Sequence, residues 1–161
     1  MNNVEINKSM RLSEHFSLGE VCKTSHKTED GNIPSRVAIE NLKNICENWL
    51  EDLRYSHNVL YEEVGSDGAP IIITSGYRSP EVNKLAGGSS TSNHLTGCAV
   101  DIRCIGVEQA LRYANILLDI ADGTKRDFDE LFIERSKQGR YWIHFAVRPK
   151  DNRRKISILR G

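Results

Sequence analysis

The feature of this sequence that most restricts its fold is a pair of strand-like segments near the C-terminus, residues 130–134 and 140–147. A short Ser-Lys-Gln-Gly stretch separates them. Side chains of a strand point alternately to opposite faces of a sheet. The second segment alternates in this way, and its apolar side chains are those of Ile143, Phe145 and Val147. The pair therefore predicts an antiparallel hairpin with one buried face.

Two amphipathic stretches predict helices that cover this buried face. The first begins at Pro34 and runs to about Arg54, with apolar residues every three or four positions. These residues are Ala38, Leu42, Ile45, Trp49 and Leu53. The second covers residues 107–121, and its apolar side carries Ala110, Leu111, Ala114, Leu117, Leu118 and Ala121.

The remaining segments add strands and one short helix. Gly65, Gly68 and Pro70 mark a loop before a buried strand at residues 71–74. Ser79 and Pro80 begin a short helix that Gly87 and Gly88 end. Further strands are predicted at residues 98–104 and, at an edge, 156–159. This order predicts an α+β domain, with helices packed on one face of a small, mostly antiparallel sheet.

The size and the N-terminal composition predict a single domain with an arm. A chain of 161 residues is long enough for one hydrophobic core. The first 30 residues are mostly polar, and we expect them to form an arm packed on the domain through Phe16, Leu18 and Val21. Residues 31–161 then form the domain itself, which we expect to be monomeric.

The charge balance and the lack of long apolar runs exclude some functions. Lys plus Arg equals Asp plus Glu, 22 against 22, so no surplus positive charge favours nucleic acid. A basic cluster near the C-terminus is either a local binding patch or a solvated surface with counter-charges; it contains Arg148, Lys150, Arg153, Arg154 and Lys155. No stretch reaches the ~20 apolar residues of a membrane span. The polar N-terminus lacks a signal peptide, which predicts synthesis in the cytoplasm or an export signal already removed.

The four cysteines show no CxxC spacing, so a zinc ribbon is not expected. Cys46 and Cys98 stand among apolar residues and are interpreted as buried thiols. The even number of cysteines permits a disulfide, but none is expected.

Polar residues on the non-core strand faces predict a metal site. Asp101, His144 and Glu134 each point away from the predicted core, on three different strands. His94 adds an imidazole from the loop before the Asp101 strand, and Gly97 fits a tight passage where a side chain would crowd the backbone. Two imidazoles and one carboxylate are three ligands for a catalytic zinc.

Other interpretations of these residues remain open. A single strand histidine is more often a hydrogen-bonded structural residue than a ligand, and Asp101 beside Arg103 fits an ordinary strand-face carboxylate. A purely structural domain without metal would require His94, Asp101 and His144 to be unrelated. The metal interpretation depends on all three sharing one predicted face.

Three motifs carry a resemblance to a known family. They are SGYRS at residues 75–79, SNHLTGCAVD at 92–101 and WIH at 142–144. The chain resembles the zinc D-Ala-D-Ala carboxypeptidases, a family with L-alanyl-D-glutamate endopeptidases and many phage endolysins on the hedgehog/DD-peptidase fold. Further segments are similar to the small phage- and Bacteroides-type members, namely residues 16–20, 41–42 and 128–131.

The resemblance implies roles for individual residues. His94, Asp101 and His144 match the family's zinc ligands, and Arg78 matches an arginine that orients substrate or stabilises the oxyanion. The alternative for Arg78 is that it pins the loop carrying His94. Tyr77 and Ser79 are candidates for lining the substrate pocket, although Tyr77 also fits a packing role.

The general base is the least determined part of the site. Many family members have an acidic residue three positions before the last histidine ligand, and here that position is Tyr141. Glu134 is the preferred substitute, followed by Asp129 and Glu130. The alternative for Glu134 is that it orients a ligand imidazole.

These expectations lead to a functional hypothesis with one rival. The chain is expected to be a zinc-dependent peptidase that hydrolyses an amide bond in the peptide stem of bacterial peptidoglycan, acting on the cell wall after release at lysis or in wall recycling. Its expected partner is this peptide stem, with no nucleic acid. The rival is a non-catalytic zinc module that binds wall peptide or a protein.

Overall fold

The long N-terminal helical region forms one wall of the hydrophobic core. The structure is a computed structural model that describes residues 7–61 and 68–158. Ser35 caps helix α2 (Arg36–Ile45), a π-helical turn follows at Cys46–Leu50, and helix α3 (Glu51–Tyr61) continues without a break. The predicted buried stripe is confirmed, since Ala38, Leu42, Ile45, Trp49 and Leu53 are all buried. The predicted end at Arg54 is wrong, because the helix runs on to Tyr61.

Five strands form a single sheet. They are β1 (Ile73–Ser75), β2 (Ala99–Cys104), β3 (Glu130–Arg135), β4 (Tyr141–Ala146) and β5 (Lys155–Ile158). Their order across the sheet is β1-β2-β4-β3-β5. All neighbours pair antiparallel except β3 and β5, which are parallel. The predicted α+β class with a mostly antiparallel sheet is confirmed.

Helix α5 (Gly106–Thr124) packs beside α3 and covers the same face of the sheet. Between these helices and the sheet, Trp49 contacts Phe128 and Phe145 edge-to-face, at centroid distances of 6.3 and 5.1 Å. Leu111, placed on the apolar side of α5 by its spacing, is instead half exposed. Burial of one helix face and one sheet face leaves the other sheet face available for a site.

The segment before α2 contributes to the same core. Helix α1 (Leu18–Val21) is capped by Ser17, and Phe16, Leu18 and Val21 are buried in the core cluster. The predicted division of the chain at residue 30 stays a prediction. Residues 1–6 of the predicted arm, Gly65 of the predicted loop and Leu159 of the predicted edge strand lie outside the described residues.

Two short elements lie before β2. Helix α4 (Pro80–Leu85) is capped by Ser79 and has Pro80 in its first turn, as the sequence predicts. A 3-10 turn at Asn93–Thr96 follows and leads through Gly97 into β2. The four cysteines, all within the described residues, are buried and free. None of the described helices has the length and apolar character needed to cross a bilayer.

Candidate metal centre

The two central strands place a carboxylate beside an imidazole. The β2–β4 register sets Asp101 directly opposite His144, and the alternation of both strands turns these side chains away from the helices. The Nδ1 atom of His144 lies 3.2 Å from Oδ1 of Asp101. Each side chain is only 12% exposed, so the pair is largely shielded from water.

His94 reaches the same point from the 3-10 turn before β2. Its Nε2 lies 3.4 Å from Oδ1 of Asp101. The turn is capped at one end by Ser92 and closes at Gly97, whose φ is 71°. A Cβ on Gly97 would collide with the carbonyl oxygen of Ala38 on α2, which confirms the expectation that a side chain would crowd the backbone there.

The three groups together have the chemistry of a metal site. One atom each from His94, Asp101 and His144 lies within 4.8 Å of the others. The second polar atom of each group has a separate partner. His94 Nδ1 lies 2.6 Å from the Gly76 carbonyl oxygen, and Asp101 Oδ2 lies 3.2 Å from the Arg78 guanidinium. His144 Nε2 lies 3.2 Å from the Glu130 carboxylate. Zinc ligands are typically oriented by such outer contacts. The residues present therefore fit a zinc ion held by two imidazoles and one carboxylate.

The electrostatics of the cluster favour a cation. Burial alone would raise the pKa of Asp101, but hydrogen bonds with His144 and His94 outweigh it and hold that pKa well below the usual range. Burial would lower the pKa of His144, yet hydrogen bonds with Asp101 and Glu130 raise it to about 9. The two carboxylates thus stabilise positive charge between them.

A cleft of about 300 Å³ opens beside His144 on this face of the sheet. Its lining side chains come from β3, from β4 and from the two loops nearby; they include Ser92, Asn93, Glu130, Phe132, Glu134, His144, Arg148 and Arg153. The ring of Phe132 stacks on the imidazole of His144, with a centroid distance of 5.3 Å and an interplanar angle of 21°. A peptide bond placed in this cleft would lie next to His144, the candidate ligand that lines it.

Two glutamates flank Phe132 on the cleft side of β3, and their environments differ. Burial, followed by the negative charge of Asp101, raises the pKa of Glu134. A hydrogen bond from His144 is the main cause that lowers the pKa of Glu130. The contact that orients a ligand imidazole, considered for Glu134 from the sequence, is therefore made by Glu130.

The SGYRS residues lie behind the cluster. The Arg78 guanidinium bonds Asp101 and, at 3.0 Å, the Ser75 hydroxyl, while its backbone N–H donates to the His94 carbonyl at 3.0 Å. The guanidinium thus contacts the Asp101 carboxylate and β1, and only the backbone N–H of Arg78 reaches the His94 loop, so the pinning role of the Arg78 side chain stays a prediction. Tyr77 lies in the hydrophobic core, and the buried Ser79 hydroxyl caps α4. The substrate contacts of Arg78, Tyr77 and Ser79 stay predictions.

Tyr141 takes no part in this face of the sheet. It lies three residues before His144, hence on the opposite side of β4, and packs against the hydrophobic core. The Arg135 guanidinium covers its ring at 5.7 Å. An acidic residue at position 141 would therefore face the core in this structure.

A hydrogen-bonded network at the edge of the cleft was not expected from the sequence. Arg153 holds Asp129 through two hydrogen bonds of 3.0 and 2.8 Å, and Asn93 donates to Asp129 at 2.8 Å. The Arg148 Nε donates to Asn93 Oδ1 at 2.9 Å. Arg154 pairs with Asp122. The arginines of the predicted basic cluster thus have carboxylate or amide partners, which no local sequence pattern indicated.

Comparison with known proteins identifies a related family. A family model described as Peptidase M15 matches residues 14–128. The matched segment contains Arg78, His94 and Asp101, and it ends before Glu134 and His144. The curated proteins give no match to the chain.

Proposed function

We propose, from the premise that this chain belongs to the Peptidase M15 family of zinc metallopeptidases, that it hydrolyses an amide bond in the peptide stem of bacterial peptidoglycan. The observation that carries the proposal is the convergence of His94, Asp101 and His144 beside an open cleft. A carboxypeptidase or endopeptidase of the endolysin type is the specific form we propose. Its site of action is the cell wall.

The metal ligands in this proposal are His94 Nε2, Asp101 Oδ1 and His144 Nδ1. When bound, zinc supplies Lewis-acid chemistry, polarising a scissile carbonyl and lowering the pKa of water. The chain's contribution is to hold the three donor atoms in place through outer contacts from Gly76, Arg78 and Glu130.

Glu134 is the proposed general base. Its side chain lines the cleft on the same strand face as Phe132, whose ring stacks on His144. In the metal-free protein, burial and the Asp101 charge raise the pKa of Glu134. A carboxylate that lines the cleft is placed to accept a proton from water. It takes a proton from the attacking water and delivers it to the leaving amine nitrogen, so that one water is consumed for each amide bond broken.

Arg78 and the cleft edge contribute positioning. Arg78 holds Asp101 in orientation through Oδ2, and its proposed second role is to orient the substrate. The cleft edge carries the hydroxyls of Ser89, Thr91 and Ser92 and the guanidinium of Arg148. Hydroxyl and guanidinium donors suit a peptide with carbonyl and carboxylate groups.

The test compares zinc-loaded wild type with Glu134→Gln on purified peptidoglycan and on two synthetic stem peptides, one ending in D-Ala-D-Ala and one containing L-Ala-D-Glu. We expect new amine termini from the wild type and a loss of turnover of about 10²–10⁴-fold in the variant, with zinc content unchanged. The matched variant Glu134→Asp shortens the side chain but keeps a carboxylate, and it should retain part of the activity.

Two outcomes would contradict the proposal in different ways. Wild-type protein that holds zinc but cleaves none of the three substrates would leave the non-catalytic zinc module as the better account. Turnover that survives in Glu134→Gln would remove Glu134 as the base while leaving the peptidase assignment in place.

A further inference from the structure

We propose that Glu130 is a positioning residue that fixes the ring of His144 so that Nδ1, and not another ring atom, faces the metal site. This inference rests on the proposed zinc site and adds to it a residue of β3 that is not one of the three proposed ligands. It is carried by one pair of contacts on the same imidazole, from Asp101 on one side and Glu130 on the other.

The Glu130 contact favours the one tautomer in which Nδ1 is available to a metal. Oε1 of Glu130 lies 3.2 Å from Nε2 of His144, and a carboxylate only accepts hydrogen bonds. Asp101 Oδ1 lies equally close to Nδ1, so these contacts alone would place a proton on both nitrogens. A ring that offers Nδ1 to a metal keeps only the Nε2 proton, which it donates to Glu130. The lone pair is then on Nδ1, which points to Asp101 Oδ1 and lies on the side of His94.

Stacking alone would leave the ring free to reverse. The Phe132 ring lies nearly parallel to the imidazole and restricts its plane. A half-turn of the imidazole about its Cβ–Cγ bond preserves that plane but exchanges Nδ1 with a carbon atom. The hydrogen bond to Glu130 exists in one of these two orientations, so it supplies the discrimination that the stacked ring does not.

Glu130 is itself held on both oxygens. Asn93 Nδ2 donates to Oε1 at 2.6 Å, and the Arg153 guanidinium lies 3.5 Å from Oε2. The orientation of the Asn93 amide follows from its other partners, because Nδ2 also donates to Asp129 and Oδ1 accepts from Arg148. A carboxylate restrained in this way keeps Oε1 directed at His144.

The contacts also connect two metal ligands. Asn93 immediately precedes His94 in the 3-10 turn, and through Glu130 it reaches His144 on β4. The loop ligand and the strand ligand are thereby tied to the same carboxylate. Loss of Glu130 is expected to loosen both the ring of His144 and the spacing between the two imidazoles.

The test measures zinc affinity by competition with a chelator in wild type, Glu130→Leu and Glu130→Gln. We expect a 10–100-fold weaker affinity in Glu130→Leu, the range typical of lost outer-shell partners. Glu130→Gln should lose less, since its amide oxygen still accepts from Nε2. Glu108→Leu, which removes an exposed carboxylate from α5 on the opposite side of the sheet, is the control and should bind zinc within about twofold of wild type.

A second measurement reads the tautomer directly in the wild type. Long-range ¹H–¹⁵N spectra of the zinc-loaded protein should show the His144 proton on Nε2 and the metal on Nδ1. Thermal melting of each metal-free variant checks that affinities are measured on folded protein, so that a purely structural role of Glu130 would lower the melting temperature without changing zinc affinity.

The outcomes separate this inference from the proposed function. Wild-type affinity in folded Glu130→Leu, or a His144 proton on Nδ1 in the zinc-loaded wild type, would overturn the positioning role and leave the peptidase proposal intact. Wild-type protein that binds no zinc would overturn both.

Discussion

Asp101 and His144 face each other across β2 and β4, and Oδ1 of the aspartate lies 3.2 Å from Nδ1 of the imidazole. Neither strand alone produces this relationship. It follows from a register in which every residue from Ala99 to Cys104 has a partner on β4. The antiparallel pairing thus brings together two polar side chains 43 residues apart in the sequence.

Arg78 provides a first prediction, because its guanidinium holds the second oxygen of Asp101. Arg78→Ala should weaken zinc binding by about 10-fold, the low end for an outer-shell partner, and should lower turnover further if the arginine also contacts substrate. Chelator competition and steady-state kinetics measure the two effects. Arg78→Lys keeps the charge and serves as the control. Unchanged zinc affinity in Arg78→Ala would show that the Asp101 contact does not support the metal.

Ser79 tests the sequence-based pocket prediction against its observed role as a helix cap. Its hydroxyl accepts from the backbone N–H of Val82 at 3.2 Å. Ser79→Ala should therefore reduce the free energy of unfolding by about 1 kcal/mol, the usual cost of a lost N-cap. Denaturant unfolding measures this effect, and Ser79→Asn, which can still cap, is the control. A raised KM with undiminished stability would instead support substrate contact.

Gly97 tests the close approach between α2 and the turn that carries His94. Its φ of 71° and the nearby Ala38 carbonyl leave no room for a side chain. Gly97→Ala should cost about 2 kcal/mol or more in unfolding free energy and should weaken zinc binding, since the turn must shift. Gly123→Ala, with no heavy atom near the added Cβ, is the matched control. Equal stability of the two variants would contradict the account.

Asp129 provides a pH prediction. Burial would raise its pKa, but hydrogen bonds from Arg153 and Asn93 outweigh burial and lower the pKa to about 2. An aspartate in the unfolded chain titrates near pH 4, so the unfolded state takes up the proton first as the pH falls. The stabilisation is therefore present above about pH 4 and is lost as the pH approaches about 2, by about 2 kcal/mol.

Denaturant unfolding of wild type and Asp129→Asn between pH 7 and pH 2.5 checks this prediction. The variant should be less stable at neutral pH and should show a smaller decline toward acid. Parallel declines in the two proteins would mean that Asp129 contributes little to acid sensitivity.

The sequence predicted best those parts of the site that depend only on the alternation of side chains along a strand. The period of two in β2 and β4 was sufficient to place Asp101 and His144 on the non-core face, and the glycine at position 97 indicated the tight passage after His94. These inferences need only local geometry. They do not depend on which strand pairs with β2 or β4.

Features that depend on register or distant partners were out of reach. Whether Glu130 or Glu134 contacts His144 depends on the β3–β4 register and on the hydrogen bond that Asn93 donates to Glu130. The α3 end was missed because the buried face continues after Leu53 through His57, a polar residue, while the apolar Tyr55, Val59 and Leu60 are exposed. The π-helical turn at Cys46–Leu50 lies inside that stripe and has no local signal of its own.

Elemental analysis of the purified wild-type protein beside His144→Ala shows directly whether the three residues bind zinc. We expect about one zinc per wild-type chain and a large loss of zinc in the variant, because the variant lacks one of three ligands. Wild-type protein that remains free of zinc after incubation with the metal would contradict the zinc peptidase account.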